Sequence, residues 1–290
     1  MSRYFLAIFY ALLLLLLHST EFTVGFNGSR KSGVVKCRET ERQALLSFKH
    51  GLEDESGMLS TWSHDEDNRD CCNWNRIQCN YETGHVRMLH LRGHHTQYLI
   101  GEINFTYLIH LPYLEYLDLI YATLYLNIPQ FMGSFVNLKY LNLSDSIVAE
   151  RIPSQLGDLS QLEYLDLRDN IFSGAIPFQI GNLRQLQYLD LGGNMLSGAI
   201  PFQFGNLRQL VYLNLARNTL SGAIPFQTGN LPLLHTLRLG GNFDIRAKDA
   251  EWLSNLYSLT ILELTSLHNL GSSRLWLQTI RDHIPNLREL

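Results

Sequence analysis

The chain has 290 residues, 46% hydrophobic and 17% charged, with a formal net charge of −4. That is ample apolar material for a sizeable core. The charge balance excludes a basic footprint for nucleic acid, and no run of lysine and arginine interrupts it.

The N-terminus reads MSRYFLAIFYALLLLLLHST, with one arginine ahead of an unbroken apolar run from Tyr4 to Leu17. Such a run is shorter than the roughly 20 residues that span a bilayer. It fits a secretory signal peptide, placed at residues 1–25. Export makes disulfides of Cys37, Cys71, Cys72 and Cys79. Four cysteines allow three pairings, and adjacent Cys71 and Cys72 rarely bond each other. Asn27, Asn104 and Asn142 each open an N-x-S/T sequon and are expected glycosylation sites in that compartment.

A helix is expected from about Thr40, where Thr40-x-x-Gln43 reads as a capping box. Leu45, Phe48 and Leu52 share its apolar face, and Gly51 ends it. Glu53-Asp54-Glu55 and Asp65-Glu66-Asp67 read as solvated loops. His85, His90, His94 and His95 match no zinc spacing, and no cysteine joins them. No metal or cofactor is expected.

From residue 85 to the end the chain repeats itself. The motif L-x-x-L-x-L recurs at Leu114, Leu138, Leu162, Leu186, Leu210 and Leu234 in steps of 24 residues, then at Leu259. Met88-Leu89-His90-Leu91 is an earlier copy. Repeats of this period and motif are leucine-rich repeats stacked as a solenoid, about eight in number. In Tyr-Leu-Asp-Leu the leucines point inward and Tyr and Asp point out, so each repeat adds one strand to a parallel sheet. Asn170, Asn194, Asn218 and Asn242 stand three residues beyond the motif, where a buried amide can satisfy backbone groups as the chain turns inward. Ala122, Ser146 and Leu267 break that ladder. Gly174-Ala-Ile-Pro177 and its copies at Gly198 and Gly222 supply a bend, a core residue and an extended path.

Two adjacent copies, residues 173–196 and 197–220, are identical at 18 of 24 positions. Four differences lie close together: Gln187/Val211, Asp190/Asn214, Gly192/Ala216 and Gly193/Arg217. All fall on or beside the strand and none is an inward leucine. A constant framework with a varied outer face is the pattern of a binding surface. The expected contact residues are Tyr116, Asp118, Tyr140, Tyr164, Asp166, Arg168, Tyr188, Asp190, Tyr212, Asn214 and Arg217. The tyrosine column also reads as a stacked ladder that stabilises the sheet. No G-x-S-x-G, P-loop or dinucleotide fingerprint is present. Asp118, Asp166 and Asp190 recur at one framework position, which argues against an acid–base pair, so no enzyme is expected.

The full motif L-x-x-L-x-x-L-x-L-x-x-N-x-L-x-G-x-I-P resembles the plant-specific class of extracellular leucine-rich repeats. Residues 26–84, with Cys71-Cys72-Asn-Trp74 and Cys79, are similar to the N-terminal cap of that class. The stretch from Ala250 to Leu290 resembles plant receptor-like proteins of the elicitor-receptor and Cf-type disease-resistance group. The resemblance covers residues 37–290. It implies a horseshoe with a concave parallel sheet, capped by a helical unit stapled Cys37–Cys71 and Cys72–Cys79, with Trp62 and Trp74 packed inside. The family's usual Gly-Val before the last cysteine is replaced by Arg76-Ile77.

By resemblance, the function is non-catalytic recognition on the concave face. The implied partners are a microbial protein or peptide and a co-receptor kinase. The chain stops mid-repeat at Leu287-Arg-Glu-Leu290. It therefore reads as the front of a receptor whose membrane helix lies outside this chain, at the extracellular side of the plasma membrane. The alternatives are an apoplastic inhibitor of a microbial wall-degrading enzyme, or a truncated product that does not signal.

Overall fold

The structure is a computed structural model that describes residues 36–93, 98–120, 123–126, 128–226, 231–243, 252–253, 256–265, 278 and 280–289. The expected signal peptide, Asn27, Ala122, His94, His95 and Leu267 lie outside those residues. The described residues belong to one compact unit, residues 35–290.

A helix over Glu39–His50 opens the fold. Glutamates in its first turn and Lys49 and His50 in its last complement the helix dipole. Leu45 and Phe48 are buried as the apolar face requires. The capping box does not form. The helix begins ahead of Thr40, its N-cap is Arg38, and no side chain caps it. Gln43 Nε2 instead donates to Glu39 Oε1 at 2.8 Å. The physical reason lies upstream, where the Cys37 N–H donates to Asp70 Oδ1 and Cys37 is disulfide-bonded to Cys71. That tether fixes where the helix can start. Cys72 pairs with Cys79, the second staple that the resemblance implied. Trp62 and Trp74 stack with centroids 5.7 Å apart, and each indole N–H reaches a backbone carbonyl.

The cap becomes part of the solenoid through Ile77–Cys79, which pairs antiparallel with Val86–His90. Arg76, just before it, sits at φ 73°. This is the left-handed region where the family's glycine would be at ease. From Val86–His90 onward the long sheet is parallel, one strand per repeat. It runs through Tyr116–Asp118, Tyr140–Asn142, Tyr164–Asp166, Tyr188–Asp190, Tyr212–Asn214, Thr236–Gly240 and Ile261–Thr265. Partners in register are the same motif letter: Tyr164 pairs with Tyr188, Leu165 with Leu189. The motif leucines from Leu114 to Leu239 are at most 1% exposed and form one continuous core. Each such burial stabilises by about 1.5–3 kcal/mol relative to exposure.

The asparagine ladder forms at Asn170, Asn194 and Asn218, and the side chain of Asn242 lies outside what the structure describes. Asn194 Nδ2 donates to the carbonyls of Leu167, Leu191 and Gly192, and its Oδ1 accepts from Phe172 N–H. Asn170 and Asn218 repeat the pattern. At the break, Ser146 manages one bond, to the Ser144 carbonyl at 3.4 Å. Beyond the ladder, Gly174, Gly198 and Gly222 adopt φ of 78°, 80° and 90°, the bend their motif foretells. Pro129, Pro153, Pro177 and Pro201 then precede short 3-10 turns that close each repeat. A second parallel sheet, over Ser173–Gly174, Met195–Gly198, Thr219–Gly222 and Asn242–Phe243, was not foreseen. Its strands lack the Leu-x-Leu alternation that marks the first.

Candidate functional site

The outer face of the long sheet carries three columns of side chains. The central one is tyrosine. Tyr116, Tyr140, Tyr164, Tyr188 and Tyr212 stack one on the next, with centroids 4.1–4.3 Å apart and planes within 10° of parallel. At one end His90, the register partner of Asp118, tilts 41° against the Tyr116 ring with centroids 6.0 Å apart. The Arg238 guanidinium lies 5.9 Å from the Tyr212 ring centre at the other, a cation–π contact. In-register parallel strands about 4.8 Å apart force this overlap, since identical side chains fall directly above one another.

The second column holds Asp118, Asn142, Asp166, Asp190 and Asn214, and it is a framework element. Each side-chain oxygen accepts the backbone N–H two residues on, at Ile120, Ser144, Arg168, Gly192 and Ala216. These Asx turns bend the chain off the strand. The tyrosine hydroxyls of Tyr116, Tyr164 and Tyr188 donate to the carboxylates two residues on, at 3.2–3.3 Å. Asp118, Asp166 and Asp190 are at most 1% exposed, and Tyr188 and Tyr212 are buried with them. The period-two alternation places these groups on the outer face, while the tyrosine stack covers them. Asn142 is also buried, with Nδ2 directed to the Tyr140 hydroxyl. A glycan on that nitrogen is incompatible with the folded sheet, which corrects the expectation for this sequon. Asn104 is exposed, and its Oδ1 accepts from Thr106 N–H in a turn of its own.

Burial sets the electrostatics of this column. It pushes the Asp166 carboxyl up to about 7, with the neighbouring Asp190 charge adding to the shift. Asp190 is raised as well, again by burial. The phenols of Tyr116, Tyr164, Tyr188 and Tyr212 are pushed far up by burial and stay protonated. Arg168 lies over the column, its Nη1 3.5 Å from Asp166 and its Nη2 3.9 Å from Asp145.

The third column precedes the tyrosines and is accessible: Arg87, Glu115, Lys139, Glu163, Gln187, Val211 and His235. Glu115 accepts from both Arg87 nitrogens at 2.6–2.7 Å and from Lys139 at 3.1 Å. The sequence reading noticed only Gln187 and Val211 here, and as differences between copies. Position in the motif was the available signal, because the letter before each tyrosine changes from repeat to repeat. Of the expected contact residues, Arg168, Arg217 and the half-buried Tyr116, Tyr140, Tyr164 and Asn214 remain reachable. Arg217 pairs with Asp169 at 3.3 Å.

The histidines are framework partners. His85 Nδ1 lies 2.5 Å from the buried Glu41, and His90 Nδ1 lies 3.3 Å from Asp118. The sulfurs of Cys37, Cys71 and Cys72 approach one another, but all three are in disulfides. Among the described residues no helix is long and apolar enough to cross a membrane. What the face offers chemically is a mixed row of charge, amide and apolar groups on a rigid aromatic floor.

Comparison with known proteins agrees with this architecture. Residues 38–80 match the leucine rich repeat N-terminal domain, and residues 153–290 match a leucine-rich repeat region. Receptor-like protein EIX2 of Solanum lycopersicum is 40% identical over 120 residues, which is 38% of this chain and 11% of that protein. Receptor-like protein EIX1 of the same species is 37% identical over 145 residues, 46% of this chain and 13% of that protein. The chain thus spans a small part of the length of these relatives. Among solved structures, a plant ice-binding protein superposes with TM-score 0.71 at 26% identity, covering 88% of this chain and 78% of that one. PEPR1 with AtPEP1 gives TM-score 0.71 at 27% identity, covering 87% and 34%. The Arabidopsis receptor kinase HAESA, in complex with the peptide hormone IDA and the co-receptor SERK1, gives 0.64 at 28%, covering 79% and 42%. With its disulfide-stapled cap, its glycine–proline repeats and these matches, the chain belongs to the plant leucine-rich repeat receptor-like proteins.

Proposed function

We propose that this chain is an extracellular, non-catalytic recognition module that binds a protein or peptide of microbial origin along the outer face of the long sheet. The observation that carries the reading is the division of labour on that face. Tyrosine and Asx columns are locked into each other, while the neighbouring column from Arg87 to His235 changes chemistry at every rung and stays accessible. A rigid platform with variable side chains costs little entropy on binding. Contacts would come from Glu115, Lys139, Glu163, Gln187 and Val211, with Arg168 and Arg217 at the far edge. HAESA was solved with a peptide hormone and a co-receptor, which supports the same class of partners here, and signalling would then run through a co-receptor kinase. The module would act on the extracellular side of the plasma membrane.

The test is capture. The secreted chain is immobilised and exposed to fungal culture filtrate, and retained material is identified by mass spectrometry. A retained protein or peptide that free chain competes away supports the proposal. A retained wall-degrading hydrolase whose activity is blocked replaces it with the inhibitor reading. A folded chain that retains nothing across a panel of filtrates overturns it.

A further inference from the structure

The buried carboxylates of the second column do more than bend the chain. Asp166 and Asp190 are register partners on adjacent parallel strands, so their side chains stand about one strand spacing, roughly 4.8 Å, apart. Both are buried. Donors surround both carboxylates, and the Asn214 side-chain amide also hydrogen-bonds Asp190. Asp166 Oδ1 accepts from Arg168 N–H, and Oδ2 accepts from the Tyr164 hydroxyl and faces Arg168 Nη1. Asp190 Oδ1 accepts from Gly192 N–H, and Oδ2 accepts from the hydroxyls of both Tyr188 and Tyr212.

The surrounding charges leave this pair short of a cation. On the strand before it stands Asn142, and on the strand after it Asn214, both neutral amides. Arg168 is the guanidinium that reaches the pair, and Asp145 competes for it. Asp169 is engaged by Arg217, and Arg238, one strand beyond Asn214, pairs with Glu263 and lies over Tyr212. The tyrosines that face the carboxylates remain neutral donors. Two buried like charges with one shared counterion do not both ionise readily.

We propose that Asp166 and Asp190 hold one proton between them and make the middle of the sheet a pH-responsive element, tightest in mildly acidic solution and loosened as that proton leaves. The shift of Asp166 agrees in direction. A carboxyl whose folded pKa stands above its unfolded value, about 3.9, contributes stability that is complete below the unfolded pKa. That contribution is lost as pH rises through the folded value. Asp166 is pushed to about 7, so the loss accumulates from about pH 4 to about pH 7 and is complete above that. The alternation of Asp and Asn along the column has the same origin. Asn142 and Asn214 keep the backbone bond of an aspartate, accepting from Ser144 and Ala216 N–H, without adding further charge beside the pair.

The experiment is thermal unfolding of the full secreted chain, as wild type, Asp190→Asn and Asp169→Asn, from pH 4.5 to 8.5. One proton kept by the folded chain and released by the unfolded chain lowers Tm by roughly 2–4 °C per pH unit up to about pH 7, and Tm then levels off. Wild type and Asp169→Asn are expected to show this fall, and Asp190→Asn to lose it. A wild-type Tm that does not fall from pH 4.5 to 7, or an equal fall in Asp190→Asn, overturns the proposal. If Asp190→Asn does not fold, carboxyl carbon NMR of aspartate-labelled wild type decides. A buried aspartate that titrates between pH 6 and 8 supports the shared proton. Aspartates that are all ionised by pH 5 refute it.

Discussion

Arg217 Nη1 lies 3.3 Å from Asp169 Oδ1, although the two residues belong to repeats separated by a whole repeat. The residue between them in the stack is Gly193, at φ 65°. A Cβ on Gly193 would fall on Asp169 Oδ1. The same motif position holds Asp169, Gly193 and Arg217 in three successive repeats, and all three are in the left-handed region. The glycine in the middle is what lets its two neighbours meet. One of the clustered differences between the duplicated copies, Gly193/Arg217, therefore belongs to this arrangement. Gly192 is tied in similarly, since a Cβ there would lie 2.5 Å from Asn214 Nδ2. Variation at these positions reflects packing between repeats as well as exposure to a ligand.

Gly193→Ala is expected to destabilise the chain by about 1–2 kcal/mol, from the left-handed backbone and the clash with Asp169 together. Arg217→Ala is expected to cost no more than about 1 kcal/mol, because the pair is exposed. Denaturant unfolding of both variants checks the order. An Arg217→Ala effect larger than that of Gly193→Ala would mean the ion pair, not the backbone, dominates.

The asparagine ladder makes a sharper demand. Asn194→Ala leaves three carbonyls and one N–H without their side-chain partner in a buried turn. A loss of about 2–4 kcal/mol is expected. Ser146→Ala, at the position where the ladder is already broken, should cost about 1 kcal/mol or less. The comparison is made by unfolding at one pH, so that the carboxylate pair contributes equally.

Arg76 offers a change in the stabilising direction. Its φ of 73° costs a side-chain-bearing residue about 1–2 kcal/mol, and its guanidinium returns one exposed bond to the Arg92 carbonyl. Arg76→Gly is expected to raise stability by about 0.5–1 kcal/mol. Tm of the variant measures it, and a lower Tm would show that the Arg92 contact outweighs the backbone.

Much of this architecture was legible from spacing. The 24-residue step, the inward leucines, the asparagine turns and the glycine bends follow from local chemistry repeated at a fixed interval. The burial of Asp118, Asp166 and Asp190 was not legible, because alternation says which face a residue occupies and not whether its neighbours cover it. The tyrosine stack covers them, and that is a property of adjacent strands. The start of the helix at Glu39 was hidden for a similar reason, since Cys37 is held by a partner far along the chain. The same blindness applied to the sequon at Asn142.

Intact-mass and glycopeptide analysis of chain secreted from plant cells separates the two described sequons. Asn104 is expected to carry a glycan and Asn142 to be bare in folded material. A glycan on Asn142 in a chain with native unfolding behaviour would contradict the packed column.

We propose that recognition belongs to the accessible column beside the tyrosines. The direct measurement is capture of a retained microbial component by two folded double variants. One is Gln187→Arg with Val211→Glu on the sheet face. The other is Phe178→Arg with Phe202→Arg, at exposed positions on the 3-10 turns. The first is expected to lose capture at least tenfold and the second to retain it. Capture that survives the first and is lost in the second would contradict it.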